Sequence, residues 1–292
     1  MENGAEPGRL PVMAMKRITH AGLVVVLWAG AVLPVFGQQA DAGAQVATYT
    51  AAMEAADRAG DAEKTLEWGE RILALEPNHR FAQMYVSSRL PERLPADEAA
   101  RTATLTRAME LANKAHSQTE AYFKGPKPTE VSAEEWAEQK RIQEARVHDT
   151  LGVIHLIREE YDDSVFMYEY VVTLTPENGL SQYHLGAAYS GQATEAQEYI
   201  EILQQDEAKA RAERADATAL QLILDLRADA DKDFLEKRDK AIETLARAAA
   251  LGGTAAQQAR PELERLYRAR NNNLLTGMEE LINLKKRELG VR

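Results

Sequence analysis

The chain has 292 residues, of which 45% are hydrophobic, 28% charged and only 6% aromatic, a composition that favours an all-helical protein over a sheet protein. Its formal net charge of −11 argues against a nucleic-acid partner, because such a surface repels phosphate. The sequence contains no cysteine, which excludes disulfides, a thiolate nucleophile and a cysteine-ligated metal.

The N-terminal segment, residues 1–37, has the order of basic, apolar and polar stretches that is typical of a secretory signal. Basic residues precede an apolar run at 21–37 that is short for a membrane span, and a polar stretch follows. We therefore predict export to the periplasm or the medium, with cleavage after Gly37 or alternatively after Ala42. The alternative is an uncleaved inner-membrane anchor formed by 21–37. The first residues are acidic, which is unusual in a secretory signal. Three methionines therefore remain as alternatives for the start of translation: Met1, Met13 and Met15.

The segment 46–79 predicts two helices. Gly60 marks the turn between them, and Pro77 ends the second helix. That second helix places a small residue, Thr65, before an apolar residue, Ile72. The same order of small, apolar and proline positions returns later in the chain.

Residues 80–143 predict one irregular helical hairpin and an insert. The insert contains the loop FKGPKPTEVS, whose glycine and prolines cannot continue a helix. A helix resumes with Ser132 as its cap and with Glu134 and Glu135 in its first turn. We expect this helix to run on without a break into the next segment.

Residues 144–178 carry the most regular pattern in the sequence. Apolar residues recur there at three- and four-residue spacings in two blocks, separated by the polar stretch REEYDD. The pattern predicts a helix, a tight turn, a second helix and a proline stop. Its defining positions are Leu151, Gly152, His155, Ser164, Tyr168, Val171 and Pro176.

This pattern resembles the tetratricopeptide repeat, a helical hairpin of 34 residues. The family has a Leu-Gly pair in its first helix, a small residue opening the second helix, an aromatic residue four positions further on and a closing proline. Leu185 and Gly186 follow Leu151 and Gly152 at the interval of 34 residues, so 179–212 is expected to be a second repeat.

Two further segments match the family less closely and are expected to be degenerate repeats. One is 46–79, described above. The other is 213–253, where Ala241, Leu245 and Ala248 stand at the spacing of a second helix.

The resemblance implies an all-α fold, a right-handed α-α superhelix of TPR-like helical hairpins. Stacked hairpins bury the apolar faces that a single hairpin leaves exposed. The irregular insert would interrupt the stack at 80–143. Residues 254–292 would form C-terminal capping helices, with a break at 271–273.

The resemblance also implies a function in binding a protein or peptide, along a groove lined by the first helix of each repeat. Tyr183 is the expected anchor, because a buried tyrosine combines apolar area with a hydroxyl group. Only Arg146 supplies a cation at these positions, which argues against the C-terminal tail of a chaperone as ligand. The expected groove residues are Arg146, Asp149, Val153, Tyr183, His184 and Ala187.

Candidate catalytic and metal-binding residues have simpler interpretations. His148, His155 and His184 could suggest a metal, but they stand at or beside packing positions of the repeats. The acidic stretch at 159–163 is typical of a charged turn between helices. We find no catalytic sequence motif, and we predict no cofactor, no metal and no enzymatic activity.

Three functional hypotheses follow. The first is an exported scaffold that binds a protein or peptide of the cell envelope. The second is a membrane-anchored accessory subunit of an envelope assembly or secretion complex, in which case the retained N-terminus is the membrane contact. The third is an enzyme with a site in the insert at 91–143, disfavoured because His116 is its one histidine and no nucleophile has a neighbouring base.

Overall fold

The structure of the chain, a computed structural model, describes residues 38–291, and the predicted signal segment 1–37 lies outside them. Helices make up 84% of the described residues, which include no strand, so the all-α class is confirmed. None of the helices in this range combines the length and apolar character that a membrane crossing needs. The ten α-helices, with a short 3-10 helix at Leu90–Arg93, are α1 (Gln38–Arg58), α2 (Ala62–Leu75), α3 (Arg80–Arg89), α4 (Glu98–Lys124), α5 (Ala133–Ile157), α6 (Tyr161–Leu174), α7 (Gly179–Ala212), α8 (Ala217–Leu251), α9 (Gly253–Arg270) and α10 (Met278–Glu288).

Polar caps set the starts of several helices. At α5 the Ser132 hydroxyl accepts a hydrogen bond from the Glu135 amide (3.1 Å), and the Glu135 carboxylate accepts one from the Ser132 amide (3.0 Å). Asp61 caps α2 and Asn178 caps α7 in the simpler way, with a side-chain oxygen on a backbone amide. As expected from the sequence, α5 then runs unbroken to Ile157.

Successive helices pack mainly on one another. The helical pair expected at 46–79 is α1 with α2, joined at Gly60, whose φ of 70° suits glycine. The pair at 144–178 is the second half of α5 with α6. Because the turns inside these pairs are short, the paired helices run antiparallel.

Two glycines lie where helices cross closely, as the sequence predicted. A Cβ atom on Gly152 would lie 2.7 Å from Cε2 of Tyr168, and one on Gly186 would lie 2.7 Å from Cγ of Leu245. Tyr168 and Leu245 are both fully buried. Any larger residue at either glycine would therefore meet a side chain that has little room to move.

The predicted hairpins at 179–212 and 213–253 are wrong. The first is the single helix α7 and the second is the single helix α8, with a turn between them at 213–216. The physical reason lies in the residues from 193 to 240, which include no glycine or proline and are rich in the helix formers alanine, glutamate and leucine. Nothing in that stretch stops a helix except the turn itself, where Asp216 caps α8.

The start of α7 consequently packs against the end of α8 rather than against its own continuation. The remainder of the two helices, residues 193–240, forms a long antiparallel pair that we call the arm. Its interior holds Ile200 and Leu203 of α7 against Ala230 and Phe234 of α8.

The C-terminal helices α9 and α10 close the main core. They are separated by the asparagine turn at 271–273, as predicted, and Asn272 and Asn273 adopt positive φ values of 53° and 66°. Leu263 of α9 and Ile282 of α10 are almost completely buried in the cluster that contains Tyr168 and Leu245.

Candidate functional site

A cavity of about 700 Å³ opens between α5, the start of α7 and the segment 88–92, and we call it the groove. Ala187, which was also predicted to line it, lies in a neighbouring cavity of about 400 Å³. Tyr183 lines both cavities and so stands at their junction. The groove brings together the other five predicted residues: Arg146, Asp149, Val153, Tyr183 and His184.

One wall of the groove is apolar. It is formed by Val153, Leu156 and Ile157 of α5 together with Leu180 and Tyr183 of α7. Leu180 is 42% exposed and Ile157 is 37% exposed, so the wall offers apolar surface that no other part of the described chain covers. Tyr183 is partly exposed where it lines the groove.

A second wall of the groove is charged. Asp57 of α1 binds two arginines, with its carboxylate 2.6 Å from Nη2 of Arg89 and 3.2 Å from Nη2 of Arg146. Arg146 also lies over the ring of Tyr85, with 4.5 Å between guanidinium carbon and ring centroid. A second carboxylate, Glu92, contacts Arg89 at 2.6 Å. The wall therefore presents two cations, each opposite a carboxylate.

Arg89 adds a second cation to the groove, outside the helix positions at which the sequence offered only Arg146. Its partner Asp57 lies on α1 and Arg89 itself on α3, so no local spacing connects them. Helix α1 thus contributes to the groove through Asp57, a contribution that a pattern confined to α5 and α7 does not reveal.

The floor of the groove is a buried polar cluster. The Ser181 hydroxyl donates to the Asp149 carboxylate (2.9 Å), and the Tyr168 hydroxyl donates to the Asp149 main-chain carbonyl (3.2 Å). The Tyr168 hydroxyl also lies 2.9 Å from Nδ1 of His184. These bonds tie α5, α6 and α7 together beneath the groove.

Burial controls the protonation of this floor. It raises the pKa of the Asp149 carboxyl, against the opposing effects of His184 and the Ser181 hydroxyl. It lowers the pKa of the His184 imidazole, against the effect of Asp149. Both shifts favour the uncharged forms of these two side chains.

The three histidines that could have suggested a metal do not meet. His148 packs its ring on His116, with 4.8 Å between centroids, and His184 packs on Tyr168. His155 lies 2.7 Å from the carboxylate of Glu160, in the turn between α5 and α6.

Within residues 38–291, the one group of side chains with the spacing of a metal site is in that same turn. The ligand atoms of His155, Glu160 and Asp163 lie within 4.8 Å of one another. Arg158 also contacts Glu160, at 3.0 Å. The four residues pair with each other and close the turn, in agreement with the charged turn that the sequence indicated.

Comparison with known proteins does not assign the chain to a family. The chain matches none of the protein-family models against which it was compared, and a search of curated proteins found no significant match.

Proposed function

We propose that the chain is an exported scaffold of tetratricopeptide-like helical pairs and that it binds a segment of another protein in the groove. The repeated glycine contact supports the repeat assignment, because Gly152 with Tyr168 and Gly186 with Leu245 occupy the same two positions of the family pattern. On this view the arm is an insertion inside the second repeat, and the pairs stack in a right-handed superhelix.

The groove itself carries the proposal. It is lined by α5, α7 and the segment 88–92. Its lining includes an apolar wall and a wall of two arginines and two carboxylates. An extended peptide or a helix with apolar side chains on one face and charged side chains on the other satisfies both walls.

Export rests on the pattern at 1–37, and the anchored alternative rests on the same residues. We expect the chain from its native envelope to lack the residues before Gln38 or Gly43, as measured by intact mass. A full-length chain in the membrane fraction would contradict export and support the anchored subunit.

We expect Tyr183→Ala to weaken partner binding by about tenfold, or ~1–2 kcal/mol, because the ring is the aromatic anchor at the junction of the two cavities. A photo-crosslinking residue at position 180, which is exposed on the apolar wall, identifies the partner, and calorimetry then measures its affinity.

Tyr199→Ala is the matched control. Tyr199 lies on the same helix and is 44% exposed, but it belongs to the arm and not to the groove. Both variants should keep the helical circular dichroism of the wild type. If Tyr183→Ala binds the partner as tightly as Tyr199→Ala does, the groove is not the binding site.

A further inference from the structure

A third cavity, of about 500 Å³, lies on the other side of α5 and is lined by α4, α5 and α6. Glu144 and His148 line this cavity, whereas Arg146, Thr150 and Val153 line the groove. The helical period puts these two sets on opposite faces of α5. The cavity, which we call the rear pocket, is thus separate from the groove.

Aromatic rings form the walls of the rear pocket. His116 and His148 meet edge to face, with 4.8 Å between centroids and 85° between planes. Tyr170 packs on the other side of His148 at 4.6 Å. Phe166 stands at the rim, 69% exposed, and is the most exposed large hydrophobic side chain in the described part of the chain. Such faces carry the partial negative charge that attracts a cation.

Three carboxylates line the same pocket. Glu144 accepts a hydrogen bond from the Tyr170 hydroxyl (3.1 Å) and lies 3.8 Å from Nζ of Lys140. Glu169 accepts a hydrogen bond from Tyr189, and Glu120 pairs with the exposed Lys124 (2.7 Å). A carboxylate has room for about four hydrogen bonds, so each of the three keeps acceptor capacity. The pocket therefore combines aromatic faces with three carboxylates, and its lining includes no lysine or arginine.

The environment of His148 favours its neutral form. Nδ1 of His148 lies 2.8 Å from the main-chain oxygen of Glu144 and donates to it, which leaves Nε2 without the proton in the neutral form. Burial lowers the pKa of the His148 imidazole, and the nearby His116 acts in the same direction.

A metal ion fits the pocket less well than an organic cation. No third ligand atom within residues 38–291 stands close enough to the two imidazoles to complete a metal site. The wall also includes Thr119, which is 1% exposed and whose hydroxyl has no hydrogen-bond partner in the described part of the chain. An ammonium group, with three donors, suits a pocket of unused acceptors.

We infer that the rear pocket binds an alkylammonium cation, of the kind that a lysine side chain of a partner protein carries. The aromatic rings would surround the alkyl stem and the charge, and Glu144 would accept the ammonium hydrogens. This inference concerns a different face of the molecule from the groove and does not depend on it.

Titration of the full chain with Nα-acetyl-lysine methylamide tests the inference, followed by the NMR signals of the imidazole protons. We expect saturable shifts at His116 and His148 and none at His155 or His184. The norleucine analogue, which has the same stem without the ammonium group, should produce no shift. The ammonium group could belong to a small free amine or to a lysine of a peptide, and n-butylammonium distinguishes these two ligands. If n-butylammonium binds as tightly as the lysine derivative, the ligand is a small free amine. If it binds more weakly, the ligand is a lysine in a peptide.

Glu144→Gln should weaken binding by about tenfold, since it removes the charge but keeps an acceptor for Tyr170. Glu138→Gln is the control, because it removes the same charge from an exposed position of α5 outside the pocket. Phe166→Ala should also weaken binding, and its exposure makes misfolding a poor explanation. Equal shifts with the norleucine analogue, or unchanged binding in Glu144→Gln, would overturn the inference.

Discussion

Replacing Tyr168 by alanine should lower the free energy of unfolding by about 3–5 kcal/mol, the usual cost of removing a buried aromatic ring. The ring is completely buried, and it fills the space against Gly152 where α5 and α6 cross. Its hydroxyl lies within hydrogen-bond distance of α5 and of His184 on α7. Three helices therefore lose contacts in one substitution, and urea denaturation measures the loss.

Two further variants separate the contribution of the buried ring from that of its hydroxyl group. Phe166→Ala removes an aromatic ring from the same helix, but from a 69% exposed position, and should change stability by less than about 0.5 kcal/mol. Tyr168→Phe keeps the ring and should cost about 1 kcal/mol for the lost hydrogen bonds. A Tyr168→Ala variant as stable as Phe166→Ala would show that α6 does not pack on α5 as described.

The sequence predicted what depends on local chemistry. The cap at Ser132, the turn at Gly60 and the asparagine turn at 271–273 each follow from side chains a few residues apart. The close crossings at Gly152 and Gly186 also followed, because a glycine inside a helix costs stability unless packing uses its missing side chain.

The pairing of α7 with α8 did not follow. The sequence identified both members of the pair, the Leu-Gly start at Leu185 and the spacing around Leu245, but assigned them to different hairpins. Packing partners are selected by the fit of surfaces, which is independent of the length of chain between them. The arm separates the two members by a stretch that is itself a regular helical pair, so nothing in the local pattern marks it as an insertion.

Some residues of the groove were predicted from the sequence and others were not. Five of its residues were expected from the resemblance to the tetratricopeptide repeat, which places a groove along the first helix of each repeat. Arg89 and Asp57 were not, because they reach the groove from α3 and α1 and become neighbours of Arg146 only in the folded chain. The rear pocket was missed for a similar reason: His116 meets His148 across two helices.

Gly152→Leu should lower the free energy of unfolding by about 2–3 kcal/mol through overpacking, even though helix propensity favours leucine by roughly 0.8 kcal/mol. Its first added atom would lie 2.7 Å from Cε2 and 2.9 Å from Cδ2 of Tyr168. That ring cannot move aside cheaply, because it is fully buried and hydrogen-bonded at its far end.

Gly43→Leu makes the same replacement in α1, at an exposed glycine with no atom within 4 Å of the added Cβ. Propensity alone acts there, so stability should not fall. Only Gly152→Leu is thus expected to lower the urea midpoint, with little change in the slope of the transition. A rise in the urea midpoint of both variants would show that Tyr168 does not pack against Gly152. The close crossing of α5 and α6 would then not explain the glycine of the Leu-Gly pair.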